Sequence, residues 1–372
     1  LYFYYKNICF IVLIKMSQSK LEILLNEKKE ISFSDYMEFI LFDREAGLYE
    51  NHEILGKKGH FITSPLVSKH FSHCIAKHYI KESAFDTIVE LGGGDASLAC
   101  DLLFYLKDRK ELPKKYIFFD KSDYLIKKQK STMSEKSISA LVDISWVSDL
   151  KDLPSEVFII SNELFDCMPT DIIMHVSGGY QKAYINDNFK LGWKKLNVEA
   201  DSAFIDLGLP KNLPHNYIFE YSHAQRDIIN EISGVLHKAY FLIFDYGYTS
   251  SELYLKDRSL GTITCIKNHV TDFNPLSDVG MKDVSAFVNF TYLKNIFCKN
   301  NWEVVTFMNQ ANYLIYFNIL NDINVSDIDE LNAVKKLIMP NQMGELFKVL
   351  IMKKNMNETN KSYLMKNDII KL

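Results

Sequence analysis

The stretch DTIVELGGGDASLACDLL, residues 86–103, decides the fold that we predict for this chain. It begins with a β-branched run at residues 87–89, which is typical of a buried strand. Three consecutive glycines follow at Gly92–Gly94, and leucines then recur at helical spacing over residues 98–103. Because glycine has no Cβ, the backbone can approach a ligand closely at such a turn. The stretch therefore predicts a strand, a ligand-binding glycine loop and a helix.

The residues around the glycines distinguish between ligand classes. A phosphate-binding Walker loop requires Lys-Ser or Lys-Thr after its last glycine, and neither pair follows here. A dinucleotide loop counted from Gly92 requires a glycine at the position of Ser97. A methyltransferase loop has an acidic residue two positions before the first glycine, and Glu90, Gly94 and Ala96 fit it, with alanine in place of the last glycine. The loop favours a methyltransferase over a dinucleotide-binding protein, and a plain glycine-rich turn stays open as a third interpretation.

A second acidic residue ends the next predicted strand. Residues 116–120 read Tyr-Ile-Phe-Phe-Asp, an aromatic and β-branched run that closes on Asp120. In βαβ nucleotide sites, the carboxylate that ends the second strand binds the ribose hydroxyls. By itself Asp120 is more typical of a strand-ending turn. Together with Glu90 and the glycines it indicates a ribose site.

Polar residues also follow a later apolar strand, at residues 157–161. They are Asn162, Glu163 and Asp166. Because open parallel sheets bind ligands beyond the carboxyl ends of their strands, these residues are predicted to lie at the mouth of a site. The alternative is that Asn162 or Glu163 caps a short helix. With a further buried strand at 240–244, the chain reads as a doubly wound α/β sheet.

The main domain is predicted over residues 86–355, after an N-terminal helical or cap segment over 16–85. The cap segment contains Ser32-Phe-Ser-Asp35, a capping box that starts a helix. Two insertions interrupt the main domain, a β-meander at about 171–215 and a loop-rich segment at about 249–290. The last two strands are predicted at 302–307 and 346–352, with one helix between them.

The two ends of the chain are predicted to lie outside the fold. Residues 1–15 contain an apolar run at 8–14 that is too short to span a membrane, and Met16 resembles a natural start. We interpret 1–15 as an extension that is not part of the folded protein, and a weak membrane or organelle signal is the alternative. The polar residues 356–372 are expected to fray.

Composition narrows the function class. The chain of 372 residues is 47% apolar and 24% charged, which is ordinary for a globular protein of one large or two modest domains. Its net charge of −4 gives no sign of nucleic-acid binding. The six cysteines include no C-x-x-C pair, which favours reduced thiols over a zinc or disulfide framework. His269, Asp278 and Asp283 lack metal-ligand spacing, so no metal is predicted.

Seven segments in chain order carry a family resemblance. They are GHFITSPLVSKHFS (59–72), ELGGGDASLACDLL (90–103), DKSDYLIKKQ (120–129), NELFDCMP (162–169), DYG (245–247), the interrupted segment 261–290, and PNQMGELFKVL (340–350). The chain resembles the MidA-like family of class I S-adenosylmethionine-dependent methyltransferases. That family includes the mitochondrial complex I assembly factor that is similar to a protein arginine methyltransferase.

The resemblance implies a mostly parallel, seven-stranded Rossmann-like methyltransferase sheet and S-adenosyl-L-methionine as the cofactor. The residues expected to bind or cover the cofactor are Glu90, Gly92, Gly93, Gly94, Asp120, Thr63, Ser64 and Pro65. The implied acceptor is an arginine of a protein, such as a respiratory complex I subunit or a similar assembly client. Glu163 and Asp166 are predicted to orient its guanidinium, with Asn162 as an acceptor-orienting amide.

Departures from the family pattern keep other functions open. Leu66 and Asn289 each replace a family carboxylate, which weakens the prediction for the acceptor side. A methyltransferase-fold assembly or chaperone protein with little catalysis is one alternative, and a small-molecule or lipid methyltransferase is another. A nicotinamide-dependent enzyme fits poorly because of Ser97. We expect no nucleic-acid partner and no stable membrane insertion, and a homodimer is open. The expected location is the bacterial cytoplasm, or the mitochondrial matrix in a eukaryote.

Overall fold

The computed structural model describes residues 16–51, 55–56, 59–82, 84–196, 204–356 and 372. The predicted extension at 1–15, and the predicted tail apart from residues 356 and 372, lie outside the described residues. The chain divides into two compact units. The first comprises 1–61, 166–226 and 250–287, and the second comprises 62–165, 227–249 and 288–372.

The second unit is built on a large sheet. Its seven main strands are β1 (Thr87–Leu91), β2 (Lys115–Phe119), β3 (Asp143–Val147), β4 (Glu156–Asn162), β5 (Lys238–Tyr248), β6 (Glu303–Asn309) and β7 (Phe347–Lys354). They lie in the order β6-β7-β5-β4-β1-β2-β3, and a two-residue strand, Val288–Asn289, pairs beside β5. Strands β1 to β5 pair in parallel, whereas β7 runs antiparallel to both of its neighbours. The predicted doubly wound, mostly parallel, seven-stranded sheet is confirmed.

The central strands are apolar because helices cover both faces of such a sheet. Residues 157–160 of β4 and 239–244 of β5 are fully buried. The order reverses direction between β4 and β1, since the chain passes from β1 outward to β3 and then returns to β4. In doubly wound sheets this switch point is where ligands bind. The glycine loop follows β1 and the Asn162–Glu163 turn ends β4, so both flank the switch point.

The second unit also contains eight helices within the described ranges. They are Ser64–Val67, Lys69–Glu82, Ser97–Arg109, Asp123–Glu135, Phe290–Lys299, Gln310–Tyr316, Ile328–Ile338 and Met343–Leu346, with 3₁₀ turns at Ile138–Ala140, Leu150–Asp152 and Ile319–Asn321. The helix His223–Val235 begins in the first unit and ends in the second. The prediction of one helix between β6 and β7 was wrong, because three helices lie there. Short helices separated by turns give weak periodic signals, which the sequence pattern merged into one.

The first unit holds two smaller sheets. Five strands, Glu30–Ser32, Asp171–Val176, Gly179–Asn186, Leu191–Lys195 and Tyr217–Tyr221, form an antiparallel sheet, so the predicted β-meander is confirmed. Three strands, Thr264–Lys267, Val270–Asp272 and Asp283–Ser285, pair within the segment predicted as loop-rich. Within the described ranges, the helices of this unit are residues 16–28, Phe33–Phe42, Leu48–Asn51 and Ser250–Leu253, with 3₁₀ turns at Ile205–Leu207 and Lys256–Arg258.

One local prediction, the Ser32 capping box, is confirmed by its hydrogen bonds. The capping box is present, because Ser32 Oγ accepts from the Asp35 N–H at 3.1 Å and Asp35 Oδ2 accepts from the Ser32 N–H at 3.3 Å. The five cysteines within the described ranges are free thiols. Among the helices of those ranges, none is both long and apolar enough to cross a membrane.

Candidate functional site

The glycine loop turns the chain from β1 into the helix Ser97–Arg109. Gly92 and Gly94 have φ angles of +71° and +51°, in the left-handed region where glycine is favoured. A Cβ on Gly93 would lie 2.4 Å from Cδ1 of Phe118, so a side chain at this position would have to displace the ring. Ala96 stands in the left-handed region too, with φ +68°. The loop is therefore kept tight by its own backbone and by the Phe118 ring beneath it.

Asp120 lies at the end of β2, and a glutamine connects it to the glycine loop. Gln129 Nε2 donates to Asp120 Oδ2 at 2.8 Å and to the Gly94 carbonyl at 3.2 Å. The Trp146 indole N–H donates to Gln129 Oε1 at 3.0 Å, which fixes the orientation of the amide. The sequence analysis assigned no role to Gln129. Gln129 was used there only as the last residue of the segment 120–129, which carries part of the family resemblance.

Glu90 is buried at the end of β1, where Tyr116 Oη donates to its Oε2 at 2.7 Å. Burial raises the pKa of the Glu90 carboxyl to about 8, against the lowering effect of the Tyr116 hydrogen bond. The charges of Asp95 and Asp120 raise the pKa further. The site therefore concentrates acidic groups that a cation would stabilise in their ionised form. These carboxyl groups fit a cofactor that carries positive charge.

The turn at the end of β4 adds a further carboxylate to the second unit, which also contains the glycine loop. Glu163 has a left-handed φ of +54°, and its N–H donates to the Phe244 carbonyl at 2.8 Å. Its Oε1 accepts from the Ser64 N–H at 3.1 Å and from Asn162 Nδ2 at 2.9 Å. The next residue, Leu164, packs against the glycine loop, because a Cβ on Gly92 would lie 3.0 Å from its Cδ1. Glu163 is thus oriented by two donors and connected to the loop through one neighbour.

Asp245 at the carboxyl end of β5 fixes this turn. Its Oδ2 accepts from the N–H groups of Leu164 at 3.2 Å and Phe165 at 2.8 Å, and the residue is fully buried. These two hydrogen bonds from the backbone to one buried carboxylate hold the turn in place, which explains how Glu163 is kept in the left-handed conformation. Asp245 belongs to the DYG segment, which the sequence analysis used only for the resemblance.

The segment Thr63-Ser-Pro65 forms the start of the short helix Ser64–Val67, with Thr63 at the N-cap and proline in the first turn. Ser64 connects the segment to Glu163 through its N–H, while its Oγ donates to Gln310 Oε1 at 3.1 Å. The segment therefore lies against the predicted acceptor carboxylate. Its role in covering the cofactor stays a prediction.

Asp166 belongs to the first unit, unlike Asn162 and Glu163. Within that unit it is buried and interacts electrostatically with Asp283, whose carboxyl accepts from Tyr49 Oη at 3.0 Å. Burial raises the pKa of Asp283 to about 7, and the Asp166 charge adds to the rise. That Asp166 acts together with Glu163 on one acceptor stays a prediction.

The first unit also contains an open apolar cleft of about 690 Å³. Trp193, Leu260 and Phe273 are among its lining residues, and the last two are 84% and 77% exposed. Exposed apolar groups that share one cleft are typical of surfaces that bind partners.

Comparison with known proteins identifies relatives of this chain. The mitochondrial protein arginine methyltransferase NDUFAF7 of Rattus norvegicus is 27% identical over 296 residues, which cover 72% of this chain and 66% of that protein. Its Xenopus laevis counterpart is 25% identical over 366 residues, covering 86% and 80%. The match thus spans slightly less than two thirds of the rat protein's length.

A solved structure shares the fold along nearly the full length. It is a candidate methyl transferase of Burkholderia thailandensis bound to S-adenosyl-homocysteine, 22% identical, with a TM-score of 0.87 and 98% of both chains covered. A native structure of a Burkholderia thailandensis protein gives a TM-score of 0.86 at 23% identity, again with 98% coverage of both chains. Residues 75–308, well over half of this chain, match the family model described as "Putative S-adenosyl-L-methionine-dependent methyltransferase". The chain belongs to that family of S-adenosyl-L-methionine-dependent methyltransferases.

Proposed function

We propose that this protein transfers a methyl group from S-adenosyl-L-methionine to an arginine side chain of a client protein. The observation that carries the proposal is the Glu163 carboxylate, which the Ser64 N–H and the Asn162 amide orient beside the glycine loop. A cofactor site and an oriented carboxylate in one unit are what methylation of a cationic acceptor requires.

The cofactor would be held by Glu90, the loop Gly92–Gly94 and Asp120. The loop offers backbone without Cβ atoms, and Asp120 offers a carboxylate whose position Gln129 fixes. Glu90 supplies a buried carboxyl that ionises more readily when a cation binds. The bound cofactor supplies an already activated methyl group on a sulfonium. The protein's own task is to exclude water and to align the acceptor.

The acceptor side must handle a guanidinium that is protonated at physiological pH. A carboxylate that accepts from its N–H groups would orient the guanidinium and leave one nitrogen directed at the methyl group. The same carboxylate would take up the proton that this nitrogen loses on methylation. Glu163 fills this role in the proposal, with Asn162 as a neighbouring amide. Asp166 is proposed as the second acceptor carboxylate, in keeping with its position three residues later.

The names of similar proteins support a protein acceptor over a small molecule, since the relatives from rat and frog are named protein arginine methyltransferases. The client would be a respiratory complex I subunit or a similar assembly client. In a eukaryote we place the protein in the mitochondrial matrix, as its mitochondrial relatives suggest, and in a bacterium in the cytoplasm.

Calorimetric titration with S-adenosyl-L-methionine, S-adenosyl-homocysteine and NAD tests the cofactor. We expect micromolar binding of the two sulfur compounds alone, on the scale of ordinary enzyme–substrate affinities, and its loss in Asp120→Ala. Binding of NAD instead, or equal binding by the variant, would overturn the assignment of the site.

Transfer of a labelled methyl group from the cofactor to proteins of a cell extract tests the acceptor side. Glu163→Gln should abolish labelling while cofactor affinity stays near that of the wild type. Glu156→Gln is the matched control, because Glu156 lies exposed at the other end of the same strand. Unchanged labelling by Glu163→Gln would refute its role.

A second candidate is an assembly protein that binds the cofactor but transfers no methyl group. Leu66 and Asn289 favour it, since both replace family carboxylates. The structure reduces the weight of Asn289, because its Oδ1 caps the helix Phe290–Lys299 by accepting from the Tyr292 N–H at 3.0 Å, as an aspartate would. Cofactor binding without labelled product in any extract would support this candidate.

A further inference from the structure

A second polar cluster lies in the second unit, on the helix Lys69–Glu82. His70 and His73 are three residues apart, so both project from one side of the helix. Asp322 follows the 3₁₀ turn Ile319–Asn321 and joins them from a distant part of the chain. One potential ligand atom from each residue lies within 4.8 Å of the other two.

The two ring nitrogens of His70 have different environments. Nε2 lies 2.5 Å from Glu330 Oε1, whereas Nδ1 is buried and makes no hydrogen bond within the described part of the chain. Glu330 is oriented in turn, because its Oε2 accepts from the Asn324 N–H at 2.8 Å. A carboxylate on one nitrogen fixes the tautomer and leaves the other nitrogen with a lone pair. Metal-ligating histidines are held in this way by a second carboxylate.

The other two residues complete a donor set suited to a transition metal. His73 is partly buried, and its imidazole offers the second nitrogen ligand of the cluster. Asp322 Oδ2 lies 2.6 Å from Lys77 Nζ. That ammonium also donates to the carbonyls of Phe317 and Asn318, so it keeps partners if Asp322 turns towards an ion.

We propose that His70 Nδ1, His73 and Asp322 bind a divalent transition-metal cation of the zinc class, with Glu330 as the positioning residue for His70. Two nitrogens and one carboxylate oxygen are a common zinc ligand set, with a fourth position for water. Ligands about 2.1 Å from one tetrahedral ion lie about 3.4 Å apart, so atoms that are now up to 4.8 Å apart must approach by up to about 1.4 Å. That movement is within the range of side-chain rotation.

The proposed ion would cross-link two segments that are far apart in sequence. The helix Lys69–Glu82 packs against Ser97–Arg109, whose N-terminus begins at the glycine loop. Asp322 and Glu330 belong to the insertion between β6 and β7. The ion would therefore stabilise the scaffold behind the cofactor loop. The inference is independent of the proposed methyl transfer, since none of its ligands is among the residues assigned to that reaction.

Metal retention by the full chain tests the proposal. The protein is stripped with a chelator, loaded with ZnCl₂, dialysed, and measured for zinc by mass spectrometry. We expect about one equivalent in the wild type, as in other His/Asp sites, and at least about a tenfold loss in His73→Ala and Asp322→Asn. His237→Ala is the matched control, because His237 is exposed and lies outside the cluster.

Two further measurements separate a built site from surface binding. Co²⁺ loading should give the visible absorption bands of a low-coordinate site in the wild type and the control, and these bands should vanish in both ligand variants. Glu330→Gln should keep the bands and weaken affinity by about 10-fold to 100-fold, as expected for a residue behind a ligand. Melting curves of the chelated proteins check that Asp322→Asn, which is nearly isosteric, folds as the wild type does. The proposal is overturned if the wild type retains no zinc, or if His73→Ala retains as much as the wild type.

Discussion

Gly93→Ala tests the packing beneath the glycine loop. The added Cβ would lie 2.4 Å from Cδ1 and 2.7 Å from Cε1 of Phe118. Carbon atoms in contact are normally about 3.5–4.0 Å apart, so the ring must move by about 1 Å. Phe118 is fully buried, stacked on Trp146 with ring centroids 5.5 Å apart and tilted against Tyr116 at 5.1 Å. The ring therefore has no open space to enter.

Overpacking of this kind costs about 1–3 kcal/mol of unfolding free energy, and we expect a value near the middle of that range. For a chain of this size the melting temperature should fall by a few degrees. Cofactor affinity should fall as well, because the same Cβ lies 3.3 Å from Nε2 of Gln129, which connects Asp120 to the loop. Thermal melts and calorimetric titration with S-adenosyl-homocysteine measure the two effects.

Gly234→Ala is the control for Gly93→Ala. Gly234 is an exposed residue of the helix His223–Val235, and a Cβ there meets nothing within 4 Å. Alanine should stabilise the protein by about 0.5–1 kcal/mol at this position, because glycine is a poor helix residue. Phe118→Leu in the Gly93→Ala background should recover part of the loss. A Gly93→Ala protein that melts with the wild type would refute the steric argument.

Three further substitutions test one residue that positions Asp120 and two buried titratable groups. Gln129→Ala should weaken S-adenosyl-homocysteine binding about tenfold, the effect expected of a lost charge-assisted hydrogen bond to Asp120, and unchanged affinity in calorimetry would remove its positioning role. Asp283 has its pKa raised to about 7, so the stability tied to its neutral form is complete below about pH 4 and is lost as the pH rises through 7. Asp283→Asn should therefore raise the melting temperature relative to the wild type more at pH 8 than at pH 5, and an equal difference at both would contradict this. Burial lowers the pKa of His78 to about 3, so stability that depends on its neutral ring is present above about pH 6.5 and is lost as the pH falls towards 3. His78→Phe should melt with a shallower acid dependence between pH 6 and 4 than the wild type, and parallel curves would argue against buried neutral imidazole as a cause.

Local patterns predicted the elements that carry the cofactor side. β1, the glycine turn and the following helix could be predicted, because the spacing of apolar residues and the positions of the glycines are patterns of a few consecutive residues. The same holds for the Ser32 capping box, whose two partners are three residues apart. The number of helices between β6 and β7 was misjudged, since those short helices are stabilised by packing against one another and against the rest of the unit more than by their own sequence.

Only part of the candidate acceptor site could be predicted from the sequence. Asn162 and Glu163 could be placed at the end of a strand, but nothing local showed that the Ser64 N–H, 99 residues earlier, would orient the Glu163 carboxylate. Gln129 ends the segment 120–129 of the family resemblance, but its hydrogen bonds could not be predicted, because a single amide in a helix resembles any surface glutamine until its partners are known. Its burial follows from the neighbouring strands, which bring Trp146 beside it.

The sequence by itself determined the doubly wound sheet, the glycine loop and the acidic strand ends, because each depends on residue type and short-range periodicity. Only the tertiary structure decided which distant groups meet, as with Ser64 and Glu163, or with His70, Asp322 and Glu330 across 260 residues of chain. Such meetings depend on how helices and strands pack, since a hydrogen bond or metal site is sensitive to displacements of about an ångström. Hydrophobic pattern specifies which face of an element is buried, but it carries no information at that precision.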